Sequence, residues 1–367
     1  MTPDTTLFTA DDHAHMAHAL RLAERGLYTT APNPRVGCVI VKHGLVIGSG
    51  WHERAGEPHA EIHALRAAGE QTRGATAYVT LEPCSHVGRT PPCADALISA
   101  GIIRVIAAMT DPNPQVAGQG LTRLAAAGVA VSMGLMADEA RALNPGFVQR
   151  MTLQRPWIRI KTAASLDGRT ALANGQSQWI TGNDARMDVH RWRARSCAIL
   201  TGIGTVLADD PQLNVRHLDT QRQPFKIIVD THLRTPVTAH ILQSTHTLIA
   251  HAATHPERCQ PLLDAGATLI QVPLCNQQLD LSYLMTQLAQ HGINEVLTEA
   301  GARLNGALIA AGLANQWIAY IAPIVMGASA RGLFNLPCLD QLSAAPKLTI
   351  TECLRIGNDW RMLADFV

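Results

Sequence analysis

Pro58-His59-Ala60-Glu61 and Glu82-Pro83-Cys84-Ser85-His86-Val87-Gly88-Arg89-Thr90-Pro91-Pro92-Cys93 decide how the first half of this chain reads. One imidazole and two thiols are borderline or soft ligands, the set a zinc ion takes when its fourth position is left for water. Zinc lowers the pKa of such a water to about 7. Glu61, two residues past the imidazole, then serves to move a proton to a leaving amine rather than to ligate. His-x-Glu, then Pro-Cys and a second Cys, is the pattern of zinc-dependent deaminases. The spacing departs from it: eight residues part the cysteines here, where the pattern has two. That points away from the substrate of a common cytidine deaminase. A closed structural zinc site is the alternative, and it needs a fourth protein ligand, for which His86 is the obvious nearby candidate.

A chain of 367 residues is more than one core usually holds, so two domains are expected. Hydrophobic residues at 47% and charged residues at 16% describe a well-packed soluble enzyme, not a disordered chain. A net charge of +1 with 4% aromatic residues argues against a surface that tracks a polynucleotide and favours small-molecule substrates. The N-terminal stretch lacks the layout of a signal peptide, and no apolar run reaches about 18 residues, so no membrane partner is expected. Eight cysteines are too sparse for a disulfide scaffold, which suits a reducing cytoplasm. Cys38, Cys197, Cys259, Cys275, Cys338 and Cys353 read as plain thiols.

Thr9-Ala10-Asp11-Asp12 caps a first helix that runs to Gly26. Val36–Val41 and Leu45–Ile47 form a hairpin about His43-Gly44. Residues 59–68 have helical composition, which places His59 and Glu61 on one first turn, facing nearly opposite ways unless that turn is irregular, with both able to reach one pocket from the helix end. Strand Thr76–Leu81 leads into Cys84 at a sheet's C-terminal edge, where open α/β sheets bind ligands. Pro92 and Cys93 open the next helix. Strand, helix, strand and helix follow to Leu143, an α/β alternation. From Asn144 to Pro156 the pattern loses its period and reads as a linker, dividing the chain into 1–148 and 149–367. The second part alternates again, from strand Trp157–Ala163 to strand Trp317–Ile324. In it, Glu299-Ala300-Gly301-Ala302-Arg303-Leu304-Asn305-Gly306 joins a strand to a helix whose N-terminal amides suit a phosphate. Gly202-Ile203-Gly204-Thr205 is a second such turn. Neither is the Gly-x-Gly-x-x-Gly fingerprint. Taken alone, they indicate nucleotide or phosphate binding.

Ala31-Pro-Asn-Pro-Arg-Val-Gly37, His59-Ala-Glu61 and Pro83-Cys-Ser-His-Val-Gly-Arg-Thr-Pro-Pro-Cys93 together resemble the deaminase domain of the bifunctional riboflavin-biosynthesis deaminase–reductases. Lys161-Thr-Ala-Ala-Ser-Leu-Asp-Gly-Arg-Thr170, Ser177-Gln-Trp-Ile-Thr181, Thr205-Val-Leu-Ala-Asp-Asp-Pro-Gln-Leu213 and Glu299-Ala-Gly301 resemble the same family's reductase domain. The resemblance implies an N-terminal cytidine-deaminase-like three-layer domain followed by a C-terminal dihydrofolate-reductase-like domain, a fold that binds NADPH without the usual fingerprint. It implies hydrolytic deamination of 2,5-diamino-6-ribosylamino-4(3H)-pyrimidinone 5′-phosphate. NADPH then reduces the ribosyl group of 5-amino-6-(5-phosphoribosylamino)uracil to ribityl.

Position by position, the resemblance puts one zinc per subunit on His59, Cys84 and Cys93, with Glu61 as proton shuttle and Asn33 touching the deaminase substrate. Ala163, Trp179, Thr205, Asp209 and Thr231 match cofactor positions, as does the turn Gly301, Ala302, Arg303, Leu304, Asn305, Gly306 and Ala307. Lys161, Ser177, Arg193, Leu213, Arg216 and Glu299 fall on the substrate side, where Arg193 and Arg216 suit a bidentate grip on the 5′-phosphate. The family also implies a homo-oligomer. Two rival readings compete with it. A nucleic-acid-editing deaminase shares His-x-Glu and Pro-Cys but needs a basic or aromatic surface. A zinc-stapled binding module has no use for an intact Glu61 and Trp179.

Overall fold

The computed structural model describes residues 8–85, 92–114, 116–243, 246–253 and 256–367. The chain divides into two compact units, Met1–Gln154 and Arg155–Val367, and among the described residues each sheet draws its strands from one unit alone.

In the first unit, helix α1 (Ala10–Glu24) begins at Thr9, which exchanges reciprocal hydrogen bonds with Asp12 in a capping box. Strands β1 (Gly37–Lys42) and β2 (Leu45–Trp51), helix α2 (Ala60–Ala68), β3 (Thr76–Val79), α3 (Cys93–Ser99) and β4 (Arg104–Ala107) follow. Then come α4 (Gln119–Ala126), β5 (Ala130–Met133), α5 (Ala137–Leu143) and α6 (Pro145–Leu153). The sheet order is β2-β1-β3-β4-β5, with β1 antiparallel to both neighbours and β3, β4 and β5 parallel. Alternate residues feed two cores. Val39, Val41, Tyr78 and Ile106 pack with Met16 and Leu20 of α1 on one face. Cys38, Ile40, Ala77 and Val79 pack with Ala64, Leu97 and Leu124 of α2, α3 and α4 on the other. The result is the expected helix–sheet–helix layering.

Two expectations are corrected here. Strand β2 runs past Ile47 because α2 lies directly on it: a Cβ on Gly48 would sit 2.3 Å from the Ala64 carbonyl oxygen. The stretch read as a linker is helical over Pro145–Leu153. Pro145 occupies a first-turn position where its missing N–H removes no bond, and Phe147 is buried in the α1-side core.

The second unit contains β6 (Trp157–Ser165), β7 (Arg169–Ala171), α7 (Asn183–Arg195), β8 (Ala198–Gly202), α8 (Ile203–Asp209) and β9 (Phe225–Val229). It continues with β10 (Thr247–His251), α9 (Pro256–Asp264), β11 (Thr268–Gln271), β12 (Leu274–Cys275), β13 (Gln278–Leu279) and α10 (Leu281–Gln290). It closes with β14 (Glu295–Thr298), α11 (Ala302–Ala310), β15 (Gln316–Ala322), β16 (Arg331–Gly332), β17 (Leu348–Ile356) and β18 (Asp359–Phe366). Nine strands form one sheet in the order β11-β10-β9-β8-β14-β6-β15-β18-β17. It is parallel from β11 to β15 and antiparallel beyond. The final hairpin escapes the sequence reading because β17 is exposed along most of its length, so apolar and polar residues need not alternate there.

Among the described residues, no helix is long and apolar enough to cross a membrane. All eight cysteines are free thiols.

Candidate active sites

The first site gathers at one end of the first unit's sheet. His59 is the residue before α2, with extended backbone angles (φ −75°, ψ 165°). It therefore escapes the helical geometry that would turn it away from Glu61, the irregular first turn that lets both residues serve one site. Cys84 lies in the turn after β3, and Cys93 opens α3. His59 Nδ1 is 3.6 Å from Cys84 Sγ and 3.3 Å from Cys93 Sγ. The three ligand atoms lie within 4.8 Å of one another. The Cys93 N–H donates to Cys84 Sγ at 3.3 Å. Cys84 is drawn down to about 4, first by the Cys93 thiol donating to it and then, against burial, by His59. One nitrogen and two sulfurs, one of them held as thiolate, are the donors a zinc ion takes. The residues present fit that ion. His86 lies outside the described residues.

Glu61 is buried beside this set, and burial pushes its carboxyl up to about 7 although the His59 charge works the other way. Beside His59, with ring centroids 5.5 Å apart, stands His52, a histidine that the sequence does not single out. His52 Nδ1 donates to the Pro58 carbonyl at 3.2 Å, which leaves Nε2 to accept from Asn33 Nδ2 at 3.1 Å. That fixes which end of the Asn33 amide is engaged. Glu82 is a second omission. Its buried carboxylate accepts four backbone N–H groups, from Asp111 (3.0 Å), Gly118 (2.9 Å), Gly120 (2.8 Å) and Leu121 (3.3 Å). The loop entering α4 is thereby tied to the turn that carries Cys84. Gly120 completes the tie, since a Cβ there would stand 1.9 Å from the Pro83 carbonyl oxygen.

The second site is a cavity of about 1060 Å³ at the C-terminal ends of the second unit's central parallel strands. Ala163, Ser177, Trp179, Thr205, Asp209, Leu213, Arg216 and Thr231 line it, as do Lys161, Arg193 and Glu299. Gly301, Ala302, Arg303, Leu304, Asn305 and Ala307 line it too. Gly306, the remaining residue of that turn, packs behind the lining. A Cβ on Gly306 would lie 2.2 Å from the Asn335 carbonyl oxygen, so this residue packs α11 against the chain behind it. Asn33 belongs to the other unit's site.

At the cavity's inner end, Arg193 is committed to Glu299. Its Nε and Nη2 donate to the two carboxylate oxygens at 2.5 and 2.9 Å, and Nη1 donates to the Asn214 carbonyl at 3.1 Å. In this structure the Arg193 fork meets the Glu299 carboxylate. Lys161 Nζ is 3.8 Å from the same carboxylate. Burial works to raise Glu299, but the Arg193 and Lys161 charges outweigh it and bring the group to about 2. His190, unremarked in the sequence, accepts the Arg216 N–H at Nδ1. Burial and then the Arg193 and Arg216 charges push it down to about 4. Trp179 stands out at the mouth, 71% exposed, with the Arg186 guanidinium 4.6 Å from its ring centroid.

Among the described residues, seven Lys and Arg side chains line this cavity against two carboxylates, Asp209 and Glu299, a balance that suits phosphorylated ligands. The volume exceeds that of most single-ligand pockets, which run to roughly 1,000 Å³, so cofactor and substrate fit together. Gly301 precedes a nine-residue helix whose first amides have no helical partner. The cavity therefore fits a dinucleotide phosphate.

Comparison with known proteins agrees with both halves. Residues 9–109 match the cytidine and deoxycytidylate deaminase zinc-binding region, and residues 156–362 match the RibD C-terminal domain. The chain is 53% identical over 365 residues to riboflavin biosynthesis protein RibD of Escherichia coli strain K12, covering 95% of this chain and 97% of that one. It is 48% identical to the protein of that name from Haemophilus influenzae, covering 97% of both. Among solved structures it is similar to Acinetobacter baumannii RibD, with a TM-score of 0.91 at 45% identity over 97% of this chain and 99% of that one. It is also similar to a Thermotoga maritima diaminohydroxyphosphoribosylaminopyrimidine deaminase/5-amino-6-(5-phosphoribosylamino)uracil reductase, with a TM-score of 0.85 at 30% identity and the same coverage. A cytidine-deaminase-like domain and a dihydrofolate-reductase-like domain thus stand in sequence, and the chain belongs to the RibD family of bifunctional riboflavin-biosynthesis deaminase–reductases.

Proposed function

We propose that the two successive reactions of this family run at the two sites described, the deaminase in the first unit and the reductase in the second. The observation that carries the reading is a His59–Cys84–Cys93 ligand set beside a buried Glu61, on a chain that also holds a large basic cavity.

In the first site, His59, Cys84 and Cys93 would hold a zinc ion, which would supply a Lewis acid that makes water nucleophilic near neutral pH. Glu61 takes the proton that this water gives up at the ring carbon and hands it to the departing 2-amino group. Its carboxyl, near 7, suits both directions of transfer. Asn33, oriented by His52, positions the pyrimidinone. In the second site, NADPH supplies a hydride. That hydride would reduce C1′ of the ribosyl group as its bond to the ring oxygen breaks and this oxygen takes a proton from water, giving ribityl. Lys161, Ser177 and Glu299 orient the sugar, while Arg216, a more exposed residue than Arg193, takes the 5′-phosphate. Trp179, Thr205, Asp209, Thr231 and the turn from Gly301 hold the cofactor.

The cytoplasm is the setting that supplies NADPH and a ribotide together. Exposed Ile350 and Trp360, which the register places on one face of the final hairpin, support assembly as a homo-oligomer, since apolar side chains on a shared surface mark contact sites. The decisive experiment incubates the purified chain with the diaminopyrimidinone ribotide, with and without NADPH, and identifies products by mass. Glu61→Gln should abolish deamination yet still reduce ribotide that is already deaminated. Deamination within about tenfold of wild type would remove Glu61 from its role, since general acid–base groups contribute roughly 10²–10⁴-fold.

A further inference from the structure

We propose that His190 is a positioning residue of the reductase site: its imidazole holds the backbone at Arg216 so that the guanidinium stands ready for the ribotide's 5′-phosphate. The inference rests on the reading that Arg216 takes that phosphate, and deepens it. Residues 211–217 belong to no helix or strand, so no ladder of backbone bonds fixes them. Leu213 and His217 hold left-handed φ values of 45° and 63°. Side chains from elsewhere hold the segment instead. Gln223 clasps Val215, its Oε1 accepting the Val215 N–H at 2.8 Å and its Nε2 donating to the Val215 carbonyl at 3.1 Å. Helix α7 holds the residues on either side. Arg193 Nη1 donates to the Asn214 carbonyl at 3.1 Å, and His190 Nδ1 accepts the Arg216 N–H at 3.0 Å. His190 and Arg193 stand three residues apart on α7 and so share one face of it.

A backbone N–H can only donate, so this bond fixes the tautomer: Nδ1 is bare, and the neutral ring carries its proton on Nε2. The surroundings keep it neutral. The ring is buried, Arg193 and Arg216 bear on it with like charge, and His217 meets it edge-on at 5.3 Å, with Glu299 acting the other way. At neutral pH His190 is therefore a standing acceptor. What it holds is a guanidinium with nitrogens still open. Arg216 commits Nη1 to the Gln212 and Asn214 amide oxygens at 2.9 and 2.8 Å. Among the described residues no carboxylate pairs with it, so Nε and Nη2 remain for two phosphate oxygens. Without the His190 anchor, the segment would have to be ordered as the ribotide binds, which weakens affinity and leaves the hydride step alone.

Steady-state reduction by the full-length chain, varying the deaminated ribotide and NADPH separately, tests this with variants at His190. Asparagine carries an amide oxygen where Nδ1 lies, whereas glutamine reaches to the place of Nε2. His190→Ala and His190→Gln should each raise the ribotide KM about tenfold, the scale of a buried donor left unpaired, with kcat and the NADPH KM unchanged. His190→Asn should recover most of that loss. If Asn and Gln fail alike, the ring serves packing alone and the proposal is overturned. A ribotide KM unmoved in His190→Ala and His190→Gln would overturn it too. So would a kcat that falls at constant KM, which would put the ring on the reacting atoms. Arg216→Gln checks the underlying reading: an unchanged ribotide KM in that variant would overturn the phosphate assignment itself, a result distinct from those at His190.

Discussion

Replacing Arg193 by glutamine removes the partner that keeps Glu299 ionised inside the second unit. The two side chains are 12% and 11% exposed, so little solvent screens the pair. Burial alone would raise the Glu299 carboxyl; the Arg193 and Lys161 charges and the Arg193 hydrogen bonds instead carry it from an ordinary 4.5 to about 2. That difference corresponds to on the order of 3 kcal/mol of folding stability at neutral pH. Because the folded carboxyl binds its proton less tightly than the unfolded one, the stabilisation is complete above about pH 4.5 and is lost as pH falls toward 2. Breaking a buried pair by deleting one partner gives about 3–5 kcal/mol by an independent route. Lys161, 3.8 Å from the same carboxylate, compensates in part, which favours the lower figure. Urea denaturation at neutral pH of Arg193→Gln, Glu299→Gln and the double variant is the assay. Each single change should cost about 3 kcal/mol, and the double change much less than their sum. A cost for Arg193→Gln within about 0.5 kcal/mol, the size of an ordinary surface substitution, or strict additivity in the double variant, would refute the reasoning.

Cys84→Ser and Cys93→Ser should each lose bound zinc, because a hydroxyl is a far poorer ligand for it than a thiolate; full zinc by metal analysis in both variants would contradict the assignment. Gly120→Ala should also lower zinc content and deamination while leaving reduction intact, since its Cβ would meet the Pro83 carbonyl oxygen at 1.9 Å. Wild-type zinc and turnover in that variant would show that the Cys84 turn yields freely. A fragment spanning residues 155–367 should fold and bind NADPH alone, because its sheet borrows no strand from the first unit. A folded fragment unable to bind NADPH would place part of the cofactor site elsewhere.

What could be read in the sequence were features whose chemistry resides in residue type and local spacing. His59, Cys84 and Cys93 are a ligand set before they are a shape, and the capping box at Thr9 and Asp12 is complete within four residues. Less legible was anything decided by a partner distant along the chain. Nothing near His52 says that it holds Asn33, and nothing near Glu82 says that four amides from residues 111–121 converge on it. Arg193 is of a type right for a phosphate, and nothing near it says that Glu299, far along the chain, meets its fork. Helix α6 was hidden by Pro145, which reads as a breaker unless it falls at a helix's first position. The hairpin of β17 and β18 was hidden by exposure, which frees a strand from the alternation that betrays it.

The strand order of the second unit bears on how the chain is made. Strand β6 leaves the ribosome first of its sheet, yet its two edges are covered only by β14 and β15, with Trp157 opposite Glu295 and Ile160 opposite Trp317. Until those residues are synthesised the centre of the sheet cannot close, and such non-local parallel pairings form slowly. The first unit carries no such debt to later sequence, since its five strands and the helices that flank them lie within Met1–Gln154. It can reach its native form while the reductase half is still being translated. A chain stalled short of Thr298 would then display a finished deaminase joined to an apolar strand with both edges bare, the kind of nascent intermediate on which holdase chaperones act.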